Sequence, residues 1–187
     1  MAHFFIAIPV TEDIKRLAMP IQQELRSKQK HKVYVHPDDL HITIHFFGEL
    51  EEVKIRALAN HLQEAISIRP FTLNIGDLNY FGNPKEPRVV WLGVEEHYTL
   101  TKLYDYTQRI IKENGIATNN KKYRPHITLA KKWKKEADNF TMPNILSTSI
   151  EMEVNEMIIY KIHPKAARKY EAVYHIKMGD GEIGSIN

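Results

Sequence analysis

The sequence predicts an α+β fold: a bilobal, pseudo-two-fold duplicated arrangement of two antiparallel sheets, with helices on their outer faces and a central cleft between them. Three observations carry this expectation. The tetrapeptides His41-Ile42-Thr43-Ile44 and His126-Ile127-Thr128-Leu129 repeat one pattern, His-apolar-Thr-apolar, 85 residues apart. At that same offset Phe4–Pro9 falls on Val89–Val94, and Phe71–Asn79 falls on Glu156–Pro164, strand pattern on strand pattern. Between these runs the apolar residues recur at helical spacing.

The elements follow in order. The apolar opening reads as a first strand, Phe4–Pro9; it is too short, and too soon followed by Thr11-Glu12-Asp13, for a signal peptide or a membrane span. Thr11 is placed to cap a first helix whose Ile14, Leu17, Ala18, Ile21 and Leu25 form one stripe. Pro20 lies inside it and predicts a kink or a break. The first motif strand follows, and then a second helix over 51–68, acidic at its start as the helix dipole prefers and stopped by Pro70. Phe71–Asn79 and the run around Val89–Val94 are strands flanking a loop at Gly82-Asn83-Pro84 and Pro87. A third helix spans 99–114, with Leu100, Leu103, Tyr104, Thr107, Ile110 and Ile111 facing inward and Gly115 just past its end. The second motif strand and three late strands, 149–154, 157–163 and 170–178, complete the order. The whole chain, 1–187, is expected to form one domain of two intertwined lobes, with 179–187 a flexible tail.

Composition narrows the chemistry. With 187 residues the chain can bury one sizeable core or two small lobes, and 43% hydrophobic against 26% charged residues is ordinary for a folded protein. There is no cysteine, which excludes disulfides, cysteine-ligated zinc and a thiol nucleophile, and fits a cytoplasmic location. The net charge is only +3, but it is unevenly spread. The stretch 121–135 holds Lys121, Lys122, Arg124, Lys131, Lys132, Lys134 and Lys135 without an acid, and Arg26, Lys28, Lys30 and Lys32 precede the first motif. Basic runs are commonly solvated faces; two of them, each beside a motif, point to an anionic ligand such as a phosphate backbone.

The motifs themselves suggest acid–base work. A strand sends residues i and i+2 to one face, so each histidine shares a face with its threonine while the aliphatic pair is buried behind. Imidazole gives and takes protons near neutral pH. Two of them across a cleft suit in-line displacement at phosphorus, one taking the proton of the attacking water and the other protonating the departing sugar oxygen. Thr43 and Thr128 would donate to the non-bridging phosphate oxygens, although threonine also simply suits a strand. His3, His31, His61, His97, His163 and His175 have no repeated context and receive no role. His45 lies at i+4 from His41 and would share its face in an unbroken strand, but no carboxylate stands at ligand spacing and Ala130 occupies the matching position of the second copy. No metal and no cofactor are expected.

The segments LHITIHFFGEL and YRPHITLAKKW resemble the paired HxTx signatures of the two-histidine (2H) phosphoesterases, and within them most resemble the RNA 2′,3′-cyclic phosphodiesterases, also called 2′-5′ RNA ligases. The opening FFIAIPV, Gly48-Glu49, PRVVWLGV and Arg124-Pro125 support the likeness. The resemblance implies His41 as proton donor and His126 as proton acceptor, rupture of the bond to the ribose 3′ oxygen, and a 2′-phosphate product. It also places Thr43 and Thr128 on the phosphate and makes Arg124 and Lys131 substrate-binding. Many members carry arginine where this chain has Lys131, so the planar fork is absent there. Phe47, Tyr80, Phe81, Tyr123 and Trp133 are candidates to stack on a base, with Tyr123 and Phe47 assigned to substrate binding. The expected partner is an RNA ending in a 2′,3′-cyclic phosphate, met by a monomer with no membrane association. Two other readings stay open: a phosphodiesterase for 2′,5′-linked oligonucleotides or small nucleotide cyclic phosphates, and a non-catalytic RNA-binding module.

Overall fold

The computed structural model describes residues 2–28, 30–118, 122–134, 141, 143 and 149–179. Its strands are β1 (Ala2–Pro9), β2 (His31–Tyr34), β3 (His41–Leu50), β4 (Phe71–Asn83), β5 (Glu86–Val94), β6 (His126–Trp133), β7 (Ile150–Val154), β8 (Glu156–Ile162) and β9 (Tyr170–Lys177). Three helices interleave with them: α1 (Glu12–Ser27), α2 (Glu52–Ala65) and α3 (Tyr98–Glu113). Lys121, Lys135 and the tail 180–187 lie outside the described residues.

The two expected sheets are hydrogen-bonded into one curled antiparallel path, β7-β4-β5-β6-β3-β1-β8-β9, with β2 added on β6. The order β4-β5-β6 is mirrored by β8-β1-β3, strand for strand at the offset seen in the sequence. The halves meet at β3 and β6, through the single Cα pair Ile42↔Ile127. The pairing stops there because β2 takes the next stretch of the same edge of β6, Val33 facing Lys131 and His31 facing Trp133. Behind the sheet, Ile42, Ile44, Ile127 and Leu129 join one core with Ile14, Ile21 and Leu25 of α1, Leu58 and Leu62 of α2, and Leu103 and Ile110 of α3.

The helices cross over. α1 follows β1 but packs on β6 and β7, and α3 follows β5 but packs on β3. Each carries a glutamine that clamps the motif strand it did not lead into. The buried Gln22 Nε2 donates to Leu129 O at 3.0 Å and to Val35 O at 2.7 Å, while Gln108 Nε2 donates to Ile44 O at 3.4 Å. Gln22→Met keeps the volume but leaves two buried carbonyls short of a donor. It is expected to cost about 1–3 kcal/mol of stability in urea unfolding, more than a substitution at the solvent-facing Gln23.

Local chemistry explains where expectation and structure part. α1 runs unbroken through Pro20, because that residue is on the exposed face and buried anchors lie on either side. Thr11 occupies the N-cap position without a side-chain capping bond. α3 ends as expected: Gly115 adopts φ 70°, its N–H bonds Lys112 O at 2.9 Å and the next N–H bonds Ile111 O at 3.1 Å, a Schellman cap. β4 and β5 extend toward each other past the glycine-proline loop, leaving only Pro84-Lys85 as the turn.

Candidate active site

Each motif histidine opens its strand, and each is fixed from behind in the same way. His41 Nδ1 lies 2.7 Å from Asp39 O, and His126 Nδ1 lies 2.7 Å from Arg124 O. A carbonyl only accepts, so both rings carry their proton on Nδ1 when neutral and leave Nε2 unprotonated. Extending the antiparallel register one residue either side of Ile42↔Ile127 sets His41 opposite Thr128 and Thr43 opposite His126. The two motifs therefore interlock, the histidine of one beside the threonine of the other. Thr43 Oγ1 is also 3.1 Å from His41 Nε2, donating to it while that ring is neutral.

A cleft of about 470 Å³ opens on this face, lined by His41, Thr43 and Thr128 together with Lys131, Lys132 and Lys169. Lys131 and Lys132 are sequence neighbours, which in a regular strand would point to opposite faces. Lys132 adopts φ 64°, the left-handed region, and this bend lets both line the cleft. Burial, and then the charges of Lys169 and Lys132, hold the Lys131 ammonium below the ordinary lysine range. Three clustered ammonium groups repel one another and are relieved by an anion.

Aromatic rings flank both imidazoles. His41 packs against Phe5 at 4.8 Å and Tyr170 at 5.3 Å between centroids, and His126 against Phe81 at 4.9 Å and Trp91 at 5.7 Å. Burial pushes His41 down to about 4, partly offset by the Asp39 carbonyl, with Lys131 and His126 adding repulsion. Burial also lowers His126, offset by the Arg124 carbonyl and reinforced by the Arg124 charge.

The remaining candidates divide. Arg124 lies beside His126, its guanidinium 5.9 Å over the Phe81 ring. Tyr123 does not reach the cleft; it stacks flat on Tyr104 at 4.0 Å and lines a neighbouring groove. Trp133 packs edge-on against His31 at 5.3 Å and sits against the core. Phe47 is corrected: it packs against the core, and Phe46, 56% exposed, lines the cleft instead. The reason is a pair of register shifts in β3, where Ile6 faces His45 but Ala7 faces Thr43, and Phe5 faces Phe46 but Phe4 faces Gly48. The first, between Thr43 and His45, inverts the facing of the residues that follow, until the second, between Phe46 and Gly48, restores it. The first also buries His45 on the far side, with Nδ1 3.0 Å from Gln108 Oε1, so it does not share the face of His41. Among the described residues no three His, Asp or Glu side chains converge as a metal site.

Sequence reasoning missed Phe46, Lys169, Tyr170 and Asp39. Asp39 is buried; besides its carbonyl bond to His41, its Oδ2 accepts from Lys169 N–H at 2.7 Å and so ties the β8–β9 connection to the cleft.

Three comparisons bear on this arrangement. The family model described as the AKAP7 2′5′ RNA ligase-like domain matches residues 2–171. A protein of Bacillus subtilis named RNA 2′,3′-cyclic phosphodiesterase is 31% identical over 179 residues, covering 94% of this chain and 96% of that one. One of the same name from Thermotoga maritima is 32% identical over 163 residues, covering 83% and 84%. Among solved structures, Escherichia coli LigT complexed with 3′-AMP superposes with a TM-score of 0.80 over 95% of this chain and 98% of that one; at 23% identity this is a likeness of fold.

Proposed function

Because the chain belongs to the 2H phosphoesterase family, in its 2′-5′ RNA ligase-like branch, we propose that it hydrolyses RNA 2′,3′-cyclic phosphate ends to 2′-phosphomonoesters with His41 and His126 as its acid–base pair. The observation that carries this reading is the interlocked pair of motifs, His41 and His126 brought to adjoining strands by the Ile42↔Ile127 pair with their tautomers fixed by Asp39 O and Arg124 O.

In the proposed reaction His126 Nε2 takes a proton from water as the water oxygen attacks phosphorus. The P–O3′ bond breaks in line, and O3′ receives the Nε2 proton of His41. Thr43 and Thr128 donate to the non-bridging oxygens, and Lys131, Lys132 and Lys169 offset the charge that builds there. The resting protonation states return by exchange with solvent. With a ribose 5′-hydroxyl attacking in place of water, and O3′ again the leaving group, the same pair would join ends through a 2′-5′ bond. We further place the protein in the cytoplasm as a monomer, acting as one domain over its whole length. Among the described residues no helix is long and apolar enough to cross a membrane.

The lowered histidines set a pH dependence. The acid must hold a proton, and the fraction of free His41 that does so falls as pH rises through about 4. The base must be neutral, and that fraction falls as pH drops through the lowered value of His126. Both limbs lie below the ordinary imidazole value, so kcat/KM, which reports free enzyme, peaks on the acidic side of about 6.5 and declines above it. A bound phosphate anion favours both imidazolium forms, so the kcat profile is displaced to higher pH. A kcat/KM that climbs between pH 6 and 8 contradicts this assignment.

The direct test is incubation with a short RNA ending in a 2′,3′-cyclic phosphate in excess EDTA, resolving which phosphate isomer forms. A 2′-phosphate is expected. A 3′-phosphate, or activity abolished by the chelator, overturns the proposal, and turnover confined to 2′,5′-linked oligonucleotides or mononucleotide cyclic phosphates replaces its substrate.

A further inference from the structure

A second groove, about 920 Å³, lies beside His126, against the ring of Trp91 and the two residues that precede the histidine. Trp91 forms the partition: it lines the groove and its ring lies against His126. Arg124 and Pro125, the two residues before His126, form the near end, and the start of α3 forms the far side. The groove thus lies next to His126, through Trp91, Arg124 and Pro125, but takes no part in the proton transfers.

Its lining suits a nucleobase. Tyr104 and Tyr123, stacked at 4.0 Å with 9° between their planes, give one aromatic wall. Tyr98 stands on the rim, 72% exposed, with Lys102 Nζ 4.4 Å from its ring centre. With the lysine over one face, the other face of an exposed tyrosine at the mouth of a groove is a stacking platform for any base. Glu96 and Asp105 supply acceptors for base N–H groups, and Lys122 and Arg124 supply cations for a phosphate. A purely anionic ligand would not want two carboxylates, and a purely apolar one would not want four charges; a base joined to a phosphodiester matches both. Three buried polar atoms of the lining residues, Trp91 Nε1, His97 Nδ1 and Tyr123 Oη, have no hydrogen-bond partner. Such atoms are costly unless a ligand or water meets them.

We propose that this groove binds the nucleotide preceding the one that carries the cyclic phosphate, its base against Tyr98 and the intervening phosphodiester at Arg124. This rests on the function proposed above and sharpens its substrate class to single-stranded RNA ends of at least two nucleotides. A mononucleotide cyclic phosphate would fill the catalytic cleft and leave the groove empty.

The experiment compares kcat/KM for a 2′,3′-cyclic mononucleotide and for a dinucleotide with the same cyclic end, in wild type and in a Tyr98→Ala, Lys122→Ala double variant. Both substituted side chains are exposed, so the core is untouched. Wild type is expected to favour the dinucleotide by about tenfold or more, the scale of one base stacked on an aromatic ring, and the variant to bring that ratio toward one. A ratio near one in wild type, or one that survives in the variant, overturns the subsite. Binding of a fluorescent dinucleotide with a free 3′-hydroxyl, read by anisotropy, separates the two claims. If wild type hydrolyses neither cyclic substrate yet binds this dinucleotide about tenfold more tightly than the variant does, the hydrolytic reading fails and the subsite stands.

Discussion

Replacing His41 or His126 by alanine is expected to lower kcat on an RNA 2′,3′-cyclic phosphate by ~10²- to 10⁴-fold, the usual worth of one general acid or base. That corresponds to about 3–5 kcal/mol of barrier. KM should move much less, because Lys131, Lys132 and Lys169 still meet the phosphate. The double variant should be little worse than either single one, since the two groups act as a unit. His41 sits among Phe5, Tyr160 and Tyr170, so alanine also leaves a void there. His41→Asn is the companion variant: its amide N–H can still reach the Asp39 carbonyl, yet it cannot carry the proton. The pH profiles distinguish the roles. Loss of the acid removes the alkaline limb and loss of the base removes the acidic one. Near-wild-type kcat in either alanine variant would falsify the acid–base assignment.

Ile42→Ala and Ile127→Ala are expected to have the largest effects on stability, about 2–5 kcal/mol each in denaturant unfolding. Both side chains are 0% exposed in the common core, and they form the single ladder pair between the two halves. Each truncation opens a cavity where neighbours from both halves converge. Because the side chains sit on facing backbone positions, a double-mutant cycle should show coupling rather than additivity. The same residues set the register that places His41 against Thr128, so kcat should fall even under conditions where the variants remain folded. Ile42→Val, which removes one methylene, is expected to cost only about 0.5–1.5 kcal/mol. A loss below that range in the alanine variants would mean that the seam is held elsewhere.

Much of this architecture is legible in residues that act locally. The stripes of α1 and α3, Gly115 past the end of α3, and both motif strands are read from spacing alone, because helix period, left-handed caps and strand alternation are short-range properties. β2 is not legible: His31–Tyr34 is four residues of mixed polarity, and it becomes a strand only because β6 offers it an edge. The choice of Phe46 over Phe47 for the cleft escapes for a related reason, since the bulges that decide it arise from how β3 meets β1. Lys169 and Tyr170 reach the cleft through a bond between chain segments 130 residues apart, Asp39 to Lys169 N–H, which no local pattern announces. The positive φ of Lys132 is likewise invisible in a run of lysines.

The single Cα pair at Ile42↔Ile127 has a mechanical meaning. Everywhere else along the path neighbouring strands share at least four such pairs, so the backbone ladder is thinnest where the two halves join. One imidazole belongs to each half. Their spacing therefore depends less on the ladder than on the side chains that span the seam, the common core and the glutamines of the crossed-over helices. A phosphate held by Thr43 from one side and Thr128 from the other would add a further tie at the place where the backbone supplies the fewest.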